Sequence, residues 1–252
     1  MPRFALELEY DGGGFVGWQR QRVGVSVQAV LERAASRLVG GAPTVSVAAG
    51  RTDAGVHAAA MVVQLDLDRD IAPDRLRDAL NFHMRPHAVA VLRAASAPPN
   101  WNARFSAIER AYLYRIVNRD ARPVLDGCRV WHVREPLDAE AMHRAARSLV
   151  GRHDFTSFRA TSCQARSPVR TLDVLDVVRH GAVIDITVIA RSFLHHQVRN
   201  IAGSLKLVGV GRWPVARVAE ALAARRRDAA GPTAPAQGLC LTGVTYLISP
   251  FT

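Results

Sequence analysis

The chain has 252 residues, 49% of them hydrophobic, enough for one large domain or two joined lobes and too apolar for global disorder. It contains no run of ~18 apolar residues, and its first ten, MPRFALELEY, lack the apolar stretch of a secretory leader, which argues against a membrane-spanning or exported protein. Lys+Arg totals 33 against 22 for Asp+Glu, a formal +11 carried almost wholly by arginine because Lys206 is the sole lysine, so a polyanion such as nucleic acid is the expected partner.

Phe4, Leu6, Leu8 and Tyr10 alternate with Ala5, Glu7 and Glu9, the pattern of a half-buried strand. Val27, Val30, Leu31, Ala34, Ala35 and Leu38 recur at helical spacing, with Ser26 as N-cap and Gly40 as stop. A strand around 44–49 leads into a glycine-bounded loop, and 61–67 is its return. Pro73 opens a helix to about Met84, and 88–94 is a further strand, giving the order β-α-β-β-α-β of a split ferredoxin-like unit. Prolines near 98–105 mark the junction between an N-terminal lobe, residues 1–100, and a C-terminal lobe, residues 101–252.

The second half repeats the theme. Tyr112, Tyr114 and Ile116 alternate along a strand, and Asp138 caps a helix that buries Met142, Ala145, Ala146 and Leu149. Strands at 172–179 and 182–190 flank a His180-Gly181 turn. Residues 194–211 are expected as a helix, a second helix follows Pro214, and 228–238 is a loop by composition before a closing strand at 239–247. Cys128, Cys163 and Cys240 form no CxxC pair and are expected as buried thiols of a protein in a reducing cytoplasm.

Three motifs bear on chemistry. GGGFVG at 12–17 matches a dinucleotide-binding pattern, but WQRQRVGV intervenes before any helix, so that reading is rejected. A flexible turn offering Trp18, Gln19, Arg20 and Arg22 to a phosphate is preferred to an ordinary glycine-rich hairpin. His195 and His196 are neighbours; on a helix they would point about 100° apart, which disfavours a shared metal. The sharpest feature is AGRTDAGVHAAA at 49–60. Its glycines permit close approach of a bulky ligand, and Arg51 precedes Asp53 by two residues, on the same side of an extended segment. An Asp beside a guanidinium stays ionised, as a nucleophile or base must, while the plainer reading is a turn-capping Asp beside a surface arginine.

These segments resemble the TruA family of tRNA pseudouridine synthases. The resemblance rests on YDGGGFVGWQRQ (10–21), AGRTDAGVHA (49–58), WNARFSA (101–107), YLYRI (112–116), HDFTSFR (153–159) and FLHHQVRNIAGSL (193–205), in that order along nearly the whole chain. It implies an α+β fold of two ferredoxin-like, RRM-like lobes with mixed antiparallel sheets joined across a basic cleft. It also implies a cytoplasmic homodimer that binds tRNA and isomerises uridine to pseudouridine at nucleotides 38 to 40 of the anticodon stem-loop. On matching positions Asp53 is the catalytic aspartate, Arg199 its basic partner and Tyr112 the ring that stacks on the target base. Arg51 and Arg104 contact tRNA, Arg51 in connection with base flipping.

The reaction breaks a C–N glycosidic bond, turns the uracil and reattaches it through C5. Atoms are only rearranged, so no metal or other cofactor is expected. Attack of Asp53 on C1′, attack on uracil C6 and removal of the C2′ proton all remain open. Ala111, Leu113, Met61 and Arg85 depart from the family pattern and bear on local RNA contacts. Two other readings compete: a non-catalytic RNA-binding protein of the same fold, and a metal-free hydrolase using Asp53 and His57 that would release free uracil.

Overall fold

A computed structural model describes residues 1–251. In chain order the elements are β1 (Arg3–Tyr10), α1 (Val27–Leu38), β2 (Ser46–Ala48), β3 (His57–Asp66), α2 (Pro73–Met84), β4 (Val89–Ser96), β5 (Ala107–Asn118) and β6 (Trp131–Val133). There follow α3 (Ala139–Arg147), β7 (Gly151–Asp154), β8 (Val169–His180), β9 (Val183–Ala190), α4 (Gln197–Gly209), α5 (Arg217–Ala224) and β10 (Leu239–Tyr246). The fold is α+β. The chain divides into two compact units, Met1–Arg110 with Leu241–Thr252, and Ala111–Cys240.

In the first unit β1 lies between β4 and β3, antiparallel to both, and β2 pairs antiparallel with β3. The order β4-β1-β3-β2 is that of the expected split β-α-β-β-α-β arrangement. Phe4, Leu6, Leu8 and Tyr10 are all buried, as the alternation requires. The Ser26 hydroxyl accepts the Ala29 amide at 3.2 Å and starts α1, while Pro73 occupies the first turn of α2. Along β1 and β3 the register slips once. Leu8 faces Met61 but Tyr10 faces Ala58, so β3 carries an extra residue just after it leaves the 49–57 loop.

That loop sits on the chain that follows β1, backbone against backbone. A Cβ on Gly12 would overlap the Val56 carbonyl, and one on Gly17 would lie 2.8 Å from the Thr52 oxygen. Gly17 also has φ +102°, a value that other residues rarely adopt. The closeness is fixed by hydrogen bonds from the Trp18 amide to the Thr52 oxygen (3.0 Å) and from the Gly55 amide to the Phe15 oxygen (3.3 Å). The Tyr10 and Thr52 hydroxyls pair at 2.8 Å in a buried position. At the other end of β1, Arg3 forks Asp66 at 2.8 and 2.9 Å and donates to the Trp101 oxygen at 2.8 Å, which fixes the start of the 101–106 turn.

The second unit has the strand order β5-β9-β8-β7, with β6 parallel to the end of β5. Asp138 accepts the Ala141 amide at 2.9 Å and caps α3, which packs on β8 and α4. Gly181, φ +59°, makes the turn between β8 and β9. The helix expected from residue 194 starts at Gln197 because His196 is left-handed, φ 62°, which cannot continue a right-handed helix. The segment 228–238 is an ordered strap rather than a bare loop: two 3-10 turns flank a stretch pressed onto α4, where a Cβ on Gly203 would overlap the Pro232 carbonyl. The cysteines are not buried as expected. Cys128 is exposed in the long 119–130 connection, and Cys163 and Cys240 are partly exposed.

Two stability measurements check this picture. Gly12→Ala forces a clash between two backbones and is expected to destabilise by about 1–3 kcal/mol in urea melts. Gly14→Ala, whose added Cβ meets nothing within 4 Å, stays within about 0.5 kcal/mol of wild type. Separately, the hydrogen bond from Arg3 holds the Asp66 carboxyl below its ordinary pKa, against burial, which pushes it up. A depressed folded pKa stabilises the fold above the unfolded value, about 4, and that contribution fades as pH falls through the folded pKa. Asp66→Asn is therefore expected to lose stability at neutral pH and to show a shallower decline below about pH 4 than wild type.

Candidate active site

Burial alternates along the sequence R-T-D. Arg51 is exposed, Thr52 is 6% exposed and turned inward, and Asp53 is half-buried. The Asp53 carbonyl accepts the Val56 amide at 3.1 Å, closing a turn over Ala54 and Gly55. Gly55 has φ +78°, which explains the glycine directly after Asp-Ala. Arg51 and Asp53 therefore share one stiff loop of the first unit.

His57 ends that loop and is 5% exposed. Its Nδ1 lies 3.1 Å from the Gly12 amide and 3.2 Å from an Asp11 carboxylate oxygen. One nitrogen cannot accept from the first and donate to the second. The amide always carries its hydrogen, so Nδ1 accepts from Gly12. Its Nε2 is buried with no hydrogen-bond partner. A histidine whose lone pair is already bonded and whose other nitrogen is enclosed offers no base for hydrolysis. The reading that pairs Asp53 with His57 as a hydrolase loses its second residue.

The glycine-rich stretch also departs from expectation. Trp18 is 3% exposed and packs on Tyr10, so it is part of the loop's seat and not a phosphate-facing ring. Arg20 is turned to the buried Glu32 at 2.5 Å, and its amide donates to Gln28 at 3.1 Å. Glu32 also accepts from the Ser46 amide and hydroxyl at 2.9 and 3.0 Å, tying the 18–22 turn to β2. Gln19 and Arg22 remain exposed. Met61, one of the departures from the family pattern, is fully buried in β3 and belongs to the core.

Arg104 projects from the 101–106 turn and is exposed beside Phe105, its guanidinium 5.5 Å from that ring's centroid. The Asn102 side chain accepts the amides of both Arg104 and Phe105 at 3.0 Å and shapes the turn. A residue that the sequence did not single out, Arg110, is 7% exposed and donates to backbone carbonyls of this turn and of Ala49. Nothing in its spacing announces it, because a charged residue on a strand is ordinarily at the surface.

The second unit holds the other two residues. Tyr112 is 8% exposed and meets Phe193 edge to face at 5.1 Å. Tyr114, two residues on, is core: it is fully buried, donates to the Pro235 oxygen at 2.9 Å, and burial raises its pKa far above the ordinary value while Arg199 pulls it down. Arg199 lies in the first turn of α4. Its Nε donates to the Ala234 oxygen at 2.9 Å while its own carbonyl accepts the Ala234 amide at 3.1 Å, so it clamps the strap. Asn200 bonds Phe158, Thr233 and Arg227. The rings of His195 and His196 lie 4.0 Å apart; both residues precede the helix, so the expected helical divergence does not apply.

The chain matches a family model described as tRNA pseudouridine synthase over residues 8–106 and 145–247. It is 66% identical over 252 residues to "tRNA pseudouridine synthase A" of Acidiphilium cryptum, covering 100% of this chain and 99% of that one. It is 59% identical over 246 residues to the protein of the same name from Rhodospirillum centenum, covering 98% and 100%. A third, from Gluconobacter oxydans, is 55% identical over 253 residues, covering 100% and 92%. With the 49–57 loop, the 101–106 turn and most of the second unit inside these matches, the chain belongs to the tRNA pseudouridine synthase family.

Proposed function

We propose that this protein isomerises uridine to pseudouridine in tRNA, at nucleotides 38 to 40 of the anticodon stem-loop. The observation that carries the reading is Asp53, half-buried on a loop locked to its neighbours through the backbone, two residues from the exposed Arg51. Family membership over most of the chain supplies the reaction class.

In this reading the target nucleotide leaves the stack, at a cost of a few kcal/mol, and Arg51 takes up phosphate or the space left behind. Asp53 acts as the carboxylate that opens the C1′–N1 bond, and by resemblance to the family Arg199 is its basic partner. Tyr112 stacks on the detached uracil so that it turns without escaping. The C5–C1′ bond then forms, and the hydrogen at C5 leaves as a proton. Arg104, exposed on a turn with fixed geometry, binds the RNA backbone. The net charge of +11 supports a polyanionic substrate. A homodimer acting in the cytoplasm completes the reading by resemblance to the family. A purely RNA-binding role would leave an acid beside the proposed grip unexplained, since a carboxylate repels phosphate.

Tritium release from tRNA carrying [5-³H]uridine tests the chemistry. Wild type is expected to expel the label with no free uracil, and Asp53→Asn to lose at least about 1,000-fold in rate while still binding tRNA. A wild-type enzyme that binds tRNA and releases no tritium would remove the function. For binding, Arg51→Ala and Arg104→Ala should each weaken affinity across tRNA sequences and reduce the log Kd against log salt slope by about 1. An unchanged slope in either variant would show that the arginine in question faces something other than phosphate.

A further inference from the structure

Arg110 joins two segments that the proposed function uses separately. It lies on β5 and is 7% exposed. Its Nε and Nη2 both donate to the Ala49 carbonyl, at 3.2 and 2.7 Å. Nη2 also donates to the Arg104 carbonyl at 2.7 Å, and Nη1 to that of Ala107 at 3.1 Å. Ala49 stands two residues before Arg51 and four before Asp53, and its amide is itself bonded to the Val62 oxygen of β3 at 2.8 Å. Arg104 heads the exposed turn shaped by Asn102. One planar guanidinium therefore holds the root of the carboxylate loop and the root of the RNA-binding turn at a single separation.

The residue type matters. Donors in three directions of one plane are what a guanidinium has. A lysine keeps the charge, but its single nitrogen cannot reach all three carbonyls in these directions, and a neutral side chain leaves the carbonyls without their donors. A side chain recruited only to fill space beneath the strand would not need to bridge Ala49 and Arg104.

We infer that Arg110 is a positioning residue: it sets the Asp53 loop and the Arg104 turn in register, so that RNA gripped at Arg104 presents its nucleotide to Asp53. The inference rests on the proposed function for its meaning. Its geometric core can be tested without it.

The experiment uses full-length Arg110→Lys and Arg110→Ala, with three readouts. Hydrogen exchange of the folded protein reads the geometry directly. Amides of 50–56 and 102–106 in Arg110→Lys are expected to exchange at least about tenfold faster, with those of β1 and β3 unchanged. Single-turnover tritium release is expected to fall about 10- to 100-fold, the penalty for a displacement of about 1 Å at a reacting group. In tRNA binding, Arg104→Ala is expected to lose at least half of its effect on log Kd when made in the Arg110→Lys background. Arg110→Ala is expected to follow the same pattern more strongly if it folds. The inference is overturned if Arg110→Lys leaves local exchange and Arg104 coupling at wild-type values, or if both variants lower only the melting temperature while the folded fraction turns over at the wild-type rate. Absence of tritium release from wild type would sink the proposed function instead, and the exchange and coupling results would still decide on Arg110.

Discussion

Where Gly12 faces Val56, and Gly17 faces Thr52, two stretches of main chain lie so close that a methyl group would not fit between them. The rest of the first unit's candidate site depends on this contact. Side chains change rotamer readily, whereas a backbone pressed against another and pinned by its own amides moves only if the whole segment moves. The Trp18 and Gly55 amides supply those pins. Tyr10 and Thr52 add a buried hydroxyl pair, and His57 receives the Gly12 amide. With Thr52 committed inward, residues 51 and 53 on either side of it are the more exposed ones. The arginine and the acid of the motif follow from how the loop is seated.

The second unit uses the same device with different parts. The strap at 228–238 approaches α4 through Gly203 and Gly231, where an added Cβ would strike Pro232 or Ser204. Around that contact, Asn200, Ser204 and Arg199 bond strap atoms. Arg199 uses part of its donor set on Ala234, which limits its rotamers and aims the remainder of the guanidinium. A long, flexible side chain thereby loses much of its entropy within the fold itself.

Local signals were legible where one residue type has one strong physical role. Ser26 and Asp138 were read as caps, and their side chains accept the expected amides. Pro73 begins its helix. The alternation in β1 and β5 gave the buried face correctly. β6 and β7 escaped notice because three or four residues are too few to show a period. Trp18 is buried although a tryptophan beside arginines has the composition of an RNA-binding turn, because composition carries no information about which way the ring points. Asp53 stood out because its neighbours are small. Arg110 did not, because the acceptors of its guanidinium include the main-chain carbonyls of Ala49, Arg104 and Ala107, residues whose side chains play no part in those bonds.

A reaction that detaches a base and reattaches it through another atom asks little of a protein in reagents and much in placement. An error of about 1 Å at the reacting group is enough for a 100-fold loss. A loop stiffened by its functional side chains would have to release them to meet a substrate, and it would loosen as it did so. Here the stiffness comes from glycines, main-chain amides, a buried tyrosine–threonine pair and a forked arginine beneath. None of these has to let go when RNA binds. The loop can therefore keep one geometry whether or not RNA is present, and constancy of that kind is what a reaction that breaks and remakes a bond to one carbon asks of its protein.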